Sequence, residues 1–147
     1  MVKFDIKDLN IWFGSLHALK QVSMEIQANE ILSVIGPSNS GKTTFLRMLN
    51  RLNALNPNFR MSGEIKFEKE DINKVEVELL RRMIGMVFAL PLPLPLSIFD
   101  NVAYGARMSE VKNKKILRER IEDVIKEAYL WEEVKDRLDE SAFKLSG

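Results

Sequence analysis

Ile31-Leu32-Ser33-Val34-Ile35-Gly36-Pro37-Ser38-Asn39-Ser40-Gly41-Lys42-Thr43-Thr44 decides how the rest of the chain is read. The segment from Ile31 to Ile35 is short, mostly apolar and stops at a glycine, as a strand buried on both faces does. From Gly36 to Thr43 the pattern is that of a phosphate-binding P-loop. Successive backbone N–H groups in such a turn form a concave anion site, and the helix that follows points its positive end at the same place. Gly36 and Gly41 permit close backbone approach, with Pro37, Ser38, Asn39 and Ser40 between them. Lys42 reaches the β- and γ-phosphates, the Thr43 hydroxyl can ligate magnesium, and Thr44 adds a hydroxyl or N–H near the α-phosphate. Beyond it, Phe45, Leu46, Leu49 and Leu52 recur at helical spacing until the stretch from Asn53 to Pro57 breaks the pattern. Strand, glycine-bearing loop and helix follow in the order the motif requires. The ligands this implies are magnesium and a nucleoside triphosphate; the loop alone does not choose the base.

Upstream, Val2, Phe4, Ile6 and Leu9 alternate with charged residues, and Val22, Met24 and Ile26 alternate with polar ones, which predicts two half-buried strands. Trp12-Phe13-Gly14 between them reads as a turn carrying exposed aromatic rings, with core packing the simpler reading of the rings alone. His17, the only histidine, reads as a surface residue. Downstream, residues 63–67 read as a strand, 75–82 as a short amphipathic helix and 84–88 as a second buried strand, an alternation that argues for α/β architecture. Residues 90–96 alternate Leu with Pro91, Pro93 and Pro95; proline cannot donate to a ladder, so an extended loop is expected. Ser97 starts a helix, with Asp100 three residues on as a capping-box variant. From Lys112 a helix is expected with Ile116, Leu117, Ile121, Val124, Ile125 and Ala128 on one face and Glu119, Glu122, Asp123 and Lys126 on the other. Trp131, Val134 and Leu138 indicate one more short helix.

Composition narrows the classes. The 147 residues, 46% apolar and 29% charged, suit one globular domain with a real core. Lys plus Arg number 22 against 21 Asp plus Glu, so no net field draws the chain to nucleic acid, and no nucleic-acid partner is expected. The absence of cysteine excludes disulfides and thiolate metal sites, and fits a reducing cytosol. No apolar run approaches the roughly 20 residues needed to span a bilayer, and residues 1–9 lack the core of a signal peptide.

Taken together, the chain resembles the nucleotide-binding subunit of ATP-binding-cassette transporters, in its phosphate-importer subclass. The most specific match is Ile84-Gly85-Met86-Val87-Phe88, followed by Pro91, Pro93 and Pro95 and then Leu96-Ser97-Ile98-Phe99-Asp100-Asn101-Val102-Ala103-Tyr104-Gly105. Leu49-Asn50-Arg51-Leu52-Asn53 and the stretch from Trp131 to Leu138 support it. The resemblance implies an α/β fold of the P-loop NTPase type. N-terminal antiparallel strands and an incomplete parallel core sheet would occupy residues 1–96, and a helical subdomain residues 97–147, ending at the start of the signature motif, Leu145-Ser146-Gly147. It implies ATP and Mg2+ as cofactors, Phe13 as the aromatic that stacks on adenine with Trp12 as fallback, and transmembrane permease subunits plus a second ATP-binding subunit as partners. The implied location is cytoplasmic, peripheral on the inner face of the membrane, with the proline loop facing the permease.

Two departures are expected to matter. Ala89 stands where the family has a glutamine that senses the γ-phosphate and magnesium, and alanine can neither donate, accept nor coordinate. Asn39 replaces a loop glycine, and asparagine tolerates a left-handed backbone better than most residues. No residue matches the family's acidic metal strand, water-polarising glutamate or switch histidine; Glu110 and Glu122 sit on solvated helical faces. No catalytic residue is therefore assigned. The expectation is a form truncated within the signature motif that binds Mg-ATP and hydrolyses it poorly or not at all, with low stability or solubility from unpaired strand edges. Two other classes stay open: a nucleotide-responsive adaptor docking a membrane partner through Leu90, Leu92, Leu94 and Leu96, and, ranked last, a small-molecule kinase.

Overall fold

In the computed structural model, β1 (Val2–Phe13) lies at the heart of the only sheet among the described residues, which are 1–90, 92–108 and 113–145. Pro91, Glu110, Lys112, Ser146 and Gly147, used in the reading above, lie outside them. β1 pairs antiparallel with β2 (Leu16–Gln27) on one side and with β3 (Phe59–Phe67) on the other, and β4 (Glu70–Asp71) adds to β3. Phe4, Ile6, Leu9 and Ile11 are buried in a core with Leu19, Ile65 and Phe67, against Phe45, Met48 and Leu49 of α1 (Lys42–Leu49). The expected turn at Trp12-Phe13-Gly14 is corrected: β1 runs through Trp12 and Phe13, and the chain reverses at Gly14-Ser15, with Gly14 at φ 59°. β2 likewise begins at Leu16, six residues before its alternation becomes legible at Val22. Bulges hide it. Asp8 and Gln21 take left-handed φ values of 46° and 49° where the pairing slips register, and each inserts a residue that breaks the period of two.

The two strands expected at residues 31–35 and 84–88 are not formed. Both segments carry no ladder pairing among the described residues. Val34 and Ile84 pack on the core, while Ile31, Ile35 and Val87 stand 97%, 91% and 99% exposed. A strand is defined by its neighbour, and no described segment forms a ladder with either. The expected parallel part of the sheet is thus represented by two segments without ladder pairing.

Polar side chains fix the end of α1. Asn53 donates to the Thr44 carbonyl at 2.7 Å, and Arg51 donates to the carbonyls of Ile72 and Val75. Arg81 of α2 (Val77–Met83) donates to the carbonyls of Asn50 and Arg51. The motif Leu49-Asn50-Arg51-Leu52-Asn53 therefore works as a clasp between α1, β4 and α2.

Residues 1–87 form one compact unit and residues 88–147 a second. In the second, Ile98, Ala103, Leu117, Ile121, Ile125, Val134 and Ala142 make the core. α3 (Ile98–Met108) begins as expected, with the Ser97 hydroxyl accepting from the Asp100 N–H at 3.0 Å. Asp100 pairs with Arg107 at 2.7 Å. α4 (Lys114–Glu127) is capped by Asn113, whose side chain accepts from the N–H groups of Lys115 and Ile116. Its apolar face is narrower than expected: Leu117, Ile121 and Ile125 are buried, but Ile116 and Val124 are exposed. The i, i+4, i+8 line through the first three is the stripe one helical contact can cover. α5 (Trp131–Val134) is a single turn, with Leu138 packed on the same core.

Candidate functional site

The loop from Gly36 to Gly41 feeds into the start of α1, whose first backbone bond runs from the Phe45 N–H to the Gly41 carbonyl at 2.8 Å. No side chain among the described residues caps this helix. The first-turn N–H groups of Lys42, Thr43 and Thr44 consequently remain available as donors, with the helix dipole behind them. The backbone at Gly41, at φ 92°, favours glycine: any side chain is strained there, and its Cβ would lie 2.6 Å from Leu19 Cδ2 and 3.0 Å from the Ala18 carbonyl oxygen. The loop is thereby seated directly on β2. Asn39 takes φ 62°, the left-handed conformation expected of it in place of glycine.

The Lys42 ammonium donates to the carbonyls of Gly36 and Pro37 at 2.9 and 2.7 Å, which holds the cation over the loop. The Thr43 hydroxyl is exposed and makes no hydrogen bond among the described residues. One free hydroxyl oxygen beside a phosphate cradle fits the needs of Mg2+, which takes one or two protein oxygens and fills its octahedron with phosphate oxygens and water.

A groove of about 550 Å³ runs from this loop to the hairpin of β1 and β2, lined by Asn39, Ser40, Gly41, Lys42, Thr43 and Thr44 at one end and by Phe13, Leu16, His17 and Ala18 at the other. The structure thus brings Phe13 to the same cavity as the second half of the loop. Gly36 and Pro37 line an adjoining apolar cavity with Leu19, Val22 and Phe45, and Ser38 is exposed on the loop between. Trp12 does not line the groove. Consecutive residues of a strand face opposite ways, and the Trp12 ring stacks on His17 at 4.5 Å while the Phe13 ring meets Phe59 at 6.0 Å. His17 is not the plain surface residue expected: it is half-buried, stacked, and bonded through Nε2 to Asn10 Oδ1 at 3.0 Å. Because that oxygen also accepts the Gln21 N–H, the imidazole is the donor. Sequence reasoning missed Leu16, His17 and Ala18 as lining residues because the bulged start of β2 shows no alternation.

Against known proteins, the model of the ABC transporter family matches residues 19–147. The chain belongs to the ATP-binding-cassette transporter family. It is 52% identical over 148 aligned residues to the "Phosphate import ATP-binding protein PstB" of two Bacteroides fragilis strains, covering 99% of this chain and 58% of those proteins. The protein of the same description from Bacteroides thetaiotaomicron is 51% identical, with 59% of its length covered. The chain therefore spans somewhat over half the length of these curated relatives. Among solved structures, a bacterial Atm1-family ABC exporter with ATP bound superposes with a TM-score of 0.80 at 22% identity, over 98% of this chain and 24% of that one. That likeness shows the ATP-binding-cassette ATPase fold, including its antiparallel N-terminal strands. Ala89, in a bend, is exposed and offers no polar side chain. Among the described residues, no helix is long and apolar enough to cross a membrane.

Proposed function

We propose that this chain is the ATP-binding component of a phosphate importer, holding Mg-ATP between the P-loop and Phe13. The observation that carries the reading is the groove in which Phe13 and Asn39 to Thr44 converge, on a chain half-identical to phosphate-import ATP-binding proteins. In this reading Phe13 stacks on adenine and the loop amides from Gly36 to Gly41 wrap the phosphates. Lys42 pairs with the β- and γ-phosphates, Thr43 ligates Mg2+ and Thr44 contacts the α-phosphate. Permease subunits and a second ATP-binding subunit are the partners, which places the chain peripherally on the inner face of the membrane. Phosphoryl transfer to water needs an oriented nucleophile as well as a charged cradle. Ala89 supplies none of that orientation, so the chain binds Mg-ATP and turns it over poorly.

Calorimetry with Mg-ATP tests the binding, with a melting curve on every sample. A charge-assisted hydrogen bond contributes about 1.5–3 kcal/mol, so Lys42→Ala weakens binding roughly ten- to hundredfold; the melting curve shows whether the chain stays folded once the Lys42 bonds to the Gly36 and Pro37 carbonyls are gone. Equal affinity of the variant and the parent chain refutes the assignment. Steady-state phosphate release that depends on Lys42 would refute the poor-turnover clause.

A second reading, an adaptor that docks a membrane partner without an ATPase cycle, is favoured by the exposure of Leu90 and Leu92 at 77% and 87%. Docking that survives Lys42→Ala and the absence of nucleotide separates it from the first.

A further inference from the structure

The groove leaves unexplained how the Phe13 ring is held at its base end, since Phe13 is the last residue of β1 and a turn follows at once. Strand ends fray, and a stacking platform that wanders contributes little to binding. The start of β3 meets this end of β1 at three points. The Gly14 N–H donates to the Asn58 carbonyl at 2.9 Å, and the Gly14 carbonyl accepts from Arg60 Nη2 at 3.1 Å. The Phe59 ring lies 6.0 Å from the Phe13 ring, tilted by 50°, in the directly opposed cross-strand position. Both backbone polar groups of the residue after Phe13 are thus tied down, the N–H to Asn58 just ahead of β3 and the carbonyl to Arg60 within it, and the ring itself is backed by another ring. Phe59 and Arg60 are absent from the groove lining.

We propose that Phe59 and Arg60 are positioning residues that lock the Phe13 ring in place for a nucleobase, acting through Phe13 and Gly14 without touching the nucleotide. The inference rests on the reading of the groove as an ATP site with Phe13 at the base. It makes recognition of the base depend on β3, far from the P-loop in sequence, and leaves the phosphate end untouched. Phe59→Leu removes the ring and keeps an apolar side chain; Arg60→Met removes the guanidinium at an exposed position and keeps most of the stem.

The test compares two ligands by calorimetry on the full chain: Mg-ATP, which has a base, and Mg-tripolyphosphate, which has none. The parent chain binds Mg-ATP more tightly, and Phe13→Ala erases the difference. Phe59→Leu and Arg60→Met each weaken Mg-ATP binding about three- to tenfold, the scale of one aromatic pair or hydrogen bond, and leave Mg-tripolyphosphate binding unchanged. In the Phe13→Ala background neither substitution has a further effect. Equal loss for both ligands, or no loss for either with Arg60→Met, overturns the positioning role while base stacking by Phe13 stands. A parent chain that does not distinguish the two ligands refutes base stacking itself, and the positioning role with it.

Discussion

Gly63→Ala should strongly destabilise the N-terminal unit, and the reason is three backbone atoms. Gly63 sits in β3 at φ 93°, opposite the bulge at Asp8. A Cβ built there lies 2.4 Å from the Asp8 carbonyl oxygen, 2.6 Å from the Asp8 carbonyl carbon and 2.6 Å from the Lys7 carbonyl oxygen. No rotamer relieves this, because every clashing atom belongs to the main chain of the central strand, between the fully buried Ile6 and Leu9. Left-handed backbone costs an alanine about 1–2 kcal/mol, and forcing strands apart in a packed core adds about 1–3 kcal/mol. The sum, about 2–5 kcal/mol, is a large share of the roughly 5–15 kcal/mol that holds a domain together. For a unit of this size it lowers the melting temperature by about 8 °C or more. Thermal unfolding followed by far-UV circular dichroism reads it, with Gly85→Ala as control, since a Cβ at Gly85 meets nothing within 4 Å. The control should stay within about 0.5 kcal/mol of the parent. A Gly63→Ala chain melting within a few degrees of the parent would sink the argument that the bulge is closed by main-chain contact.

Three more outcomes follow from individual contacts. Asn101 donates to the carbonyls of Leu94, Leu96 and Ser97 and accepts the Leu94 N–H at 2.8 Å, so Asn101→Ala frees the leucine–proline loop at a cost of about 1–3 kcal/mol; amide exchange at Leu94 should accelerate roughly tenfold or more. Unchanged exchange there would show the loop to be held by something else. Glu76 caps α2, and its hydrogen bonds with Glu78, first the side chain, and with the Leu79 N–H hold its carboxyl below the ordinary range. A depressed folded-state pKa means stabilisation that is present above the unfolded value and lost as pH falls through the folded one. Melts between about pH 7 and pH 3 should therefore show a shallower acid slope in Glu76→Gln, and identical slopes would contradict the cap. Asn39→Gly should leave Mg-ATP affinity within about twofold, whereas Asn39→Ala, which pays about 1–2 kcal/mol for φ 62°, should weaken it; calorimetry showing the reverse order would refute the left-handed assignment.

The family and the P-loop were legible because their signals are local. Gly41-Lys42-Thr43 needs only the preceding loop and the following turn, and the cap Ser97 to Asp100 closes within three residues. What sequence reading lost depends on pairing. β1 continues through Trp12 and Phe13 because β3 arrives opposite them, with Phe59 and Arg60 as their partners. Nothing within residues 10–20 announces that. The bulges at Asp8 and Gln21 hide the first turns of β2 for the same reason: a bulge is a property of two strands, read in one of them only as a broken rhythm. At Ile31 and Ile35 the failure runs the other way. Their composition describes an environment buried on both faces, and only Val34 finds its half of it among the described residues.

That contrast bears on which part of the proposed function is self-sufficient. The phosphate cradle is held by contacts that do not involve ladder pairing of residues 31–35. Gly41 seats against Leu19 and Ala18 of β2, Lys42 bridges Gly36 and Pro37, and Asn53 fixes the Thr44 carbonyl in the first turn of α1. Each anchor comes from the antiparallel hairpin, the loop itself or the clasp after α1. In the proposed function, phosphate binding would accordingly draw on the first unit alone, and base stacking would add one strand end, Phe13, positioned from β3. Hydrolysis asks for more, because an oriented water requires polar groups aimed at the γ-phosphate from outside the loop. Binding and turnover should thus separate experimentally: substitutions at Phe13 and Phe59 move affinity from the base end, away from the γ-phosphate, whereas Lys42, which pairs with that phosphate in the proposed function, bears on both.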